Sequence, residues 1–329
     1  MRNMIRTIVD TVKAKRGMVY PVDTVEECKQ VECGAPDLFT WDYLQVNSNL
    51  VLYEGLNYLT SQPCCEFKGK WMEGPGNYII SYQENPLYIG EAANVNKRLQ
   101  GHYRGSTFLR NYRKLWSKLN LPPDLTMDDF KHQHMEVTVG RKELEEFGIV
   151  NLPAPLNRFQ TDKREHFVQA DMPFHWEKTQ ELAPELLRQG EIQVFSERPQ
   201  SWNQATVKQD PGIYMVFGPQ DDLIYVGEST NISERYDTHS RKTRFSAFRR
   251  QVAAQLFGFS LKSKTELGFK SSDKKKAFLT DKEDEEINKF INQCQYVSKP
   301  VYFGRLELEA AMIKNHGPLL NRKGNKPAS

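Results

Sequence analysis

Long apolar runs are missing from this chain. No stretch approaches the ~20 apolar residues that a membrane-spanning helix needs, so a membrane partner is not expected. The opening, MRNMIRTIVDTVKAKRG, is basic and amphipathic but lacks the apolar centre of a signal peptide. It fits a first helix better than a transit peptide. Cysteine is scarce. There are five in 329 residues, Cys28, Cys33, Cys64, Cys65 and Cys294, with no CxxC pair. The odd count, without a secretion signal, points to a reducing intracellular (cytoplasmic) compartment. Adjacent cysteines make poor joint ligands, so a structural zinc is not expected. No Walker loop is present, and no nucleotide cofactor is expected.

Net charge is also small, at +3, and says little about partners. Local charge says more. From Asn96 to Lys118 the chain reads NKRLQGHYRGSTFLRNYRKLWSK, without one acid; from Ser240 to Gln251 it reads SRKTRFSAFRRQ, again without one. Basic residues interleaved with Phe and Tyr fit a surface facing a polyanion. The candidate contacts are Arg104, Arg110, Arg113 and Lys114 in the first run. In the second they are Arg241, Lys242, Arg244, Arg249 and Arg250.

What the chain does have is a copy of itself. Gly140 to Asn157, GRKELEEFGIVNLPAPLN, lies over Gly304 to Asn321, GRLELEAAMIKNHGPLLN, with half the positions identical and no gap. Upstream, Tyr88, Gly90, Glu91, Asn94, Arg98 and His102 match Tyr225, Gly227, Glu228, Asn231, Arg235 and His239. Further upstream, Gly76-Asn77-Tyr78 matches Gly212-Ile213-Tyr214. Agreement in three separated blocks marks a duplication.

The pattern predicts a mixed α/β (α+β) fold. Each copy reads as strand, turn, strand, helix, strand, helix, which is a three-stranded sheet flanked by helices. NYIISY and GIYMVF are first strands, and LYIG and LIYVG are second strands. Third strands are expected near MEVTVG and VYFG, and last helices from about Leu144 and Leu308. Asn94 and Asn231 suit helix N-caps. The predicted organisation is an extension over 1–70, a first domain over 71–160, a connector over 161–207 and a second domain over 208–323. Arg98 to Glu145 spans 47 positions and Arg235 to Glu309 spans 74. The surplus is an insertion at about 252–300, including an acidic helix, DKEDEEINKFINQ.

Two tyrosines, an arginine, a histidine, a glutamate and an asparagine persist in both copies. A repeated core alone would preserve only apolar positions. These groups suit phosphodiester hydrolysis: tyrosine as proton acceptor, glutamate for a hard cation, arginine for phosphate. The set resembles the GIY-YIG nuclease superfamily, in tandem. Its name motifs stand here as Gly212-Ile213-Tyr214 with Tyr225-Val226-Gly227, and as Gly76-Asn77-Tyr78 with Tyr88-Ile89-Gly90. The family's arginine matches Arg235 and Arg98. The histidine of its restriction-enzyme members, one turn later, matches His239 and His102. Its glutamate, followed twelve positions later by asparagine, matches Glu309 with Asn321 and Glu145 with Asn157.

The resemblance implies single-metal hydrolysis at each of two sites. Tyr214 and Tyr78 would take a proton from water, and Tyr225 and Tyr88 would line the phosphate pocket. Arg235 and Arg98 would stabilise developing charge. Glu309 and Glu145 would hold one Mg²⁺ or Mn²⁺ each. Asn321, Asn157, Gly227 and Gly90 would support the site. Two departures stand out: Glu91 and Glu228 follow the motif glycine where many members carry a basic residue nearby, and Asn77 is polar where the motif is apolar. A rival signal, Pro123-Asp124 with Asp129-Phe130-Lys131, has the letters of another metal-nuclease class, but its short spacing reads as a loop. The expectation is an endonuclease that cuts both strands of double-stranded DNA as a monomer, in restriction or phage defence. The alternatives are one active domain with a degenerate DNA-binding copy, and a non-catalytic adaptor.

Overall fold

The computed structural model describes residues 40–105, 107–152, 154–157, 176–241, 243–270 and 274–321. The opening amphipathic segment, Cys28, Cys33, Lys242, residues 158–175 between the copies and the last residues lie outside them.

The chain begins with two helices, α1 (Trp41–Val46) and α2 (Ser48–Thr60). A two-residue strand follows, β1 (Cys65–Glu66), then a hairpin, β2 (Gly76–Tyr82) and β3 (Asn85–Ala92). Helices α3 (Val95–Tyr103) and α4 (Thr107–Leu115), strand β4 (Lys131–Glu136) and helix α5 (Arg141–Asn151) complete the first unit. The second unit repeats this order. It has α6 (Trp176–Glu181), α7 (Ala183–Phe195), β5 (Gln200–Ser201), β6 (Gly212–Phe217), β7 (Leu223–Ser229), α8 (Ile232–Arg241), α9 (Ala247–Gln251), α10 (Asp281–Ile291), β8 (Gln295–Pro300) and α11 (Arg305–His316). Only α10 has no counterpart, and it is the acidic helix of the insertion.

Each unit therefore holds one antiparallel sheet, in the orders β1-β4-β2-β3 and β5-β8-β6-β7. The mixed fold is as expected, with a two-residue edge strand added to the three predicted. Such a short edge strand leaves no alternation to read in a sequence. The register breaks at the same place in both hairpins, between Ile80 and Ser81 and between Val216 and Phe217.

The third strands lie near MEVTVG and VYFG, as expected: β4 ends on Glu136, inside the first, and β8 ends on Pro300, just before the second. Val137, Val139, Val301 and Phe303 alternate like strand residues but are buried in a core the two units share. Two of them reach the opposite unit: Phe303 lies against Gly140 and Val139 against Gly304. Within each hairpin the period of two divides the side chains. Ile79, Ile89, Ile213, Met215 and Val226 enter that shared core. Tyr78 and Ile80 face a separate core in the first unit, as do Tyr214, Val216 and Tyr225 in the second.

The two initial helices are also a repeat. Trp41, Gln45 and Gly55 stand 135 positions before Trp176, Gln180 and Gly190. The pattern W-x3-Q-x9-G is legible in both, and it places 176–195 as the partner of 41–60. Their contacts are exchanged between units. The Trp41 ring lies on Gly190 and the Trp176 ring on Gly55; a Cβ on either glycine would meet indole carbons at 2.6–2.7 Å. Gln45 bonds the backbone of Tyr302 and Phe303, at 2.8–3.1 Å. Gln180 bonds that of Thr138 and Val139, at 2.8–3.0 Å.

Candidate active site

Each candidate site grows from a hairpin and the helix after it. In the second unit β6 presents Tyr214 and β7 presents Tyr225 on one face, with ring centroids 6.1 Å apart. Gly227 sits opposite Tyr214 in the ladder. A Cβ there would collide with the Tyr214 ring and hydroxyl, so the motif glycine makes room for the tyrosine. Gly90 does the same for Tyr78. Asn231 caps α8 by accepting from the Glu234 amide at 3.1 Å. Asn94 caps α3 by accepting from the Lys97 amide at 2.8 Å. Those caps fix where each helix begins, and so which residues face the tyrosines.

His239, on α8, has Nε2 2.9 Å from the Tyr214 hydroxyl. Its Nδ1 lies 2.7 Å from Ser246 Oγ, which also accepts from the Arg249 amide at 3.0 Å. With its proton on Nδ1, donated to Ser246, the ring accepts from the Tyr214 hydroxyl at Nε2; the other tautomer reverses both bonds. In the first unit His102 Nε2 lies 2.8 Å from the Tyr78 hydroxyl. That hydroxyl accepts from Arg98 Nε at 3.2 Å.

Burial governs the ionisation of this cluster. Burial, with the nearby Arg235 charge, pushes His239 down to about 3. Burial and the Arg98 charge push His102 down to about 4. Both imidazoles are therefore neutral acceptors near neutral pH. Burial also raises Tyr78 and Tyr214 well above the usual tyrosine range, and Arg98 and Arg235 only partly offset it. A free phenolate is thus disfavoured, and proton transfer through the histidine is the route the geometry offers.

Glu145 and Glu309 lie close enough to bear on the tyrosines. Each adds a raising charge effect, Glu145 on Tyr78 and Tyr88 and Glu309 on Tyr214 and Tyr225. The two differ in access. Glu145 is buried, whereas Glu309 is half-exposed and lines a groove of about 370 Å³ between the units. Among the described residues no group of three or more His, Cys, Asp or Glu side chains could hold a metal. One carboxylate per site fits a hard cation that takes its remaining ligands from water and phosphate.

Asn157 and Asn321 act on the strands. Asn157 bonds both the amide and the carbonyl of Ile89, at 3.0 and 2.7 Å. Asn321 bonds both groups of Val226, at 2.9 and 2.8 Å. Each clamps the residue between the motif tyrosine and glycine, tying the end of the unit to its hairpin.

The two departures from the motif have structural partners. Buried Asn77 donates to the Arg141 carbonyl at 2.9 Å, at the start of α5. Glu228 pairs with Lys142 of the first unit, and Glu91 lies 3.4 Å from Arg141. Arg250 supplies a cation that bears on Tyr225.

The basic candidates divide. Arg104, Arg110, Arg113, Lys114 and Arg241 are exposed, and Arg244 and Arg250 are half-buried. Arg249 is not a surface contact. It is 1% exposed, and its guanidinium is taken up by Asp284, Asn288 and Thr243 at 2.8–2.9 Å. It anchors the insertion helix α10 beneath α8. Asp129 of the rival motif closes a turn, accepting from Thr126 in a capping box.

Ser246 and the phenylalanines beside the histidines escaped the sequence reading. Gapless alignment sets Phe108 against Phe245, but Phe245 is 61% exposed. Phe248 takes the place instead, 5.3 Å from Tyr225 and 5.5 Å from His239 between centroids. Phe108 stands 6.0 Å from both Tyr88 and His102. A gap of three residues aligns Ser246-Ala247-Phe248 with Ser106-Thr107-Phe108 and would have exposed the match.

Residues 204–329 match the GIY-YIG catalytic domain family. The match takes in the whole second-unit cluster and leaves the first unit outside. That family is one of nucleases, and its presence implies a nucleic-acid substrate. No curated protein and no solved structure matches the chain.

Proposed function

We propose, starting from the nuclease domain at 204–329, that the chain is a metal-dependent DNA endonuclease with two working sites. The observation that carries this is the recurrence of one constellation. A tyrosine–histidine pair, at 2.8 and 2.9 Å, stands beside an arginine and a glutamate charge in both units.

Glu309 and Glu145 would hold Mg²⁺ or Mn²⁺, one ion per site. When bound, such an ion offsets charge on the phosphate under attack. Arg235 and Arg98 contact the phosphate and stabilise the charge that develops there. Tyr214 and Tyr78 accept a proton from the attacking water while passing their own to His239 and His102. This relay needs no free phenolate, in keeping with the raised tyrosines. Tyr225 and Tyr88 wall the pocket. Exposed basic residues on α3, α4 and α8 hold the duplex backbone, as phosphate contacts do generally.

Duplex strands run in opposite directions, and two units in one chain suit cutting both as a monomer. That capacity fits restriction or phage defence. A second reading keeps one active unit, the second, with the first as a DNA-binding copy. It is favoured by the burial of Glu145 against the half-exposure of Glu309.

The test is a panel of plain and modified duplex DNA with Mg²⁺, Mn²⁺ or a chelator. Cleavage is expected with metal alone, and it should fall in Tyr214→Phe. Tight binding without cleavage on any substrate would replace the enzyme by an adaptor.

A further inference from the structure

Helices α5 and α11 carry the candidate carboxylates Glu145 and Glu309, yet neither supplies its own N-cap. The cap positions are Gly140 and Gly304, both left-handed at φ 86° and 83°, with no side-chain cap bond. The first amide groups of a helix need acceptors, and the positive end of its dipole favours a carboxylate.

Here the acceptors come from the other unit. Glu307, in the first turn of α11, accepts from the Gly140 amide at 3.1 Å and stands 3.3 Å from Arg141 Nε. Glu143, in the first turn of α5, accepts from the Arg305 amide at 3.1 Å and stands 3.1 Å from Arg305 Nε. The two glutamates and two arginines are equivalent positions of the repeat, so the exchange runs both ways, onto the cap amide of α5 and the first helical amide of α11. Arg305 is held in addition by both oxygens of Glu146, at 2.7 Å. Packing follows the same rule. Gly140 lies against Phe303 and Gly304 against Val139. The groove that Glu309 lines has Val137 and Arg141 of the first unit in its other wall.

We infer that each candidate carboxylate is positioned by the opposite unit: Glu143 sets the helix that carries Glu309, and Glu307 sets the helix that carries Glu145. Both are positioning residues, acting through the helices they cap. The two sites are thereby coupled in a crossed sense. The inference rests on the proposed nuclease reading for its effect on cutting, and on geometry alone for the capping.

The test uses the full chain and a duplex whose strands carry different labels. Glu309→Gln and Glu145→Gln first identify which strand each unit cuts. Glu143→Met, which keeps the side-chain length but removes the acceptor, should then slow cutting of the strand lost in Glu309→Gln. The expected loss is about ten-fold, the scale of a helix cap carried into the barrier. Glu307→Met should slow the other strand. A second readout is backbone hydrogen exchange. Glu143→Met should speed exchange at the start of α11 more than at the start of α5, and Glu307→Met should do the reverse. Loss on the same unit's strand, equal loss on both strands, or uncrossed exchange would overturn the inference. If the wild type cuts no DNA, the nuclease reading fails, and the exchange pattern alone decides the crossed capping.

Discussion

At the scale of residues, the Tyr–His pair is the feature on which the proposed reaction turns. Replacing Tyr214 by Phe removes the hydroxyl and keeps the ring, so packing survives and proton transfer does not. Cleavage of the strand assigned to the second unit should drop by about 10²–10⁴-fold, the usual worth of a positioned acid or base. Circular dichroism should be unchanged. The histidines also govern acid stability. His239 is held at about 3, and His102 and His132 at about 4, each chiefly by burial. Unfolded, they titrate near ~6.5. Between these values the unfolded chain binds more protons, so their contribution is full above about pH 6.5 and lost as pH falls towards 4. Glu307, raised to about 7 by burial and the Glu143 charge, works the other way but is a single group. Denaturant midpoints should therefore fall from about pH 7 to about pH 5. His132→Phe, in a site ringed by Phe67 and Trp71, should flatten that fall. An unaltered slope in the variant would contradict the assignment.

At the scale of elements, clamps and exchanged helices hold the sites in place. Asn321→Ala removes two buried bonds to Val226 and should cost about 1–3 kcal/mol, read as a shift in the unfolding midpoint. Trp176→Ala should cost about 3–5 kcal/mol, the range for a large buried aromatic. The elements that were legible in the sequence are those with local signatures. The hairpins show alternation around turn residues, and the insertion helix shows its acidic first turn. The two-residue strands Cys65–Glu66 and Gln200–Ser201 have no such signature. Val137, Val139, Val301 and Phe303 carry the alternation past the strand ends, because alternation reports burial without naming the partner. A helix was legible in ELAPELLRQG, and it runs on past Gly190 to Phe195; that the helices at 41–60 and 176–195 are a repeat was missed for a different reason. Their W-x3-Q-x9-G pattern is sparse, and its function is contact with the opposite unit. The candidate site was legible residue by residue because its groups recur at equal spacing. Arg249 was misplaced because a basic run does not say which cations turn inward.

At the scale of the whole molecule, the exchange of Trp41, Trp176, Gln45 and Gln180 joins the two units through one core. Thermal unfolding should thus be one transition by both near-UV and far-UV signals. Two separated transitions would mean that the units are independent. In the proposed reaction this joined pair carries two working sites. Its most direct test is supercoiled DNA with Mg²⁺, comparing the wild type with Glu145→Gln, Glu309→Gln and the double variant. Two working sites should give linear product from the wild type, nicked circles from each single variant and no product from the double. Linear product from Glu145→Gln at the wild-type rate would contradict it, leaving one nuclease and one retired copy.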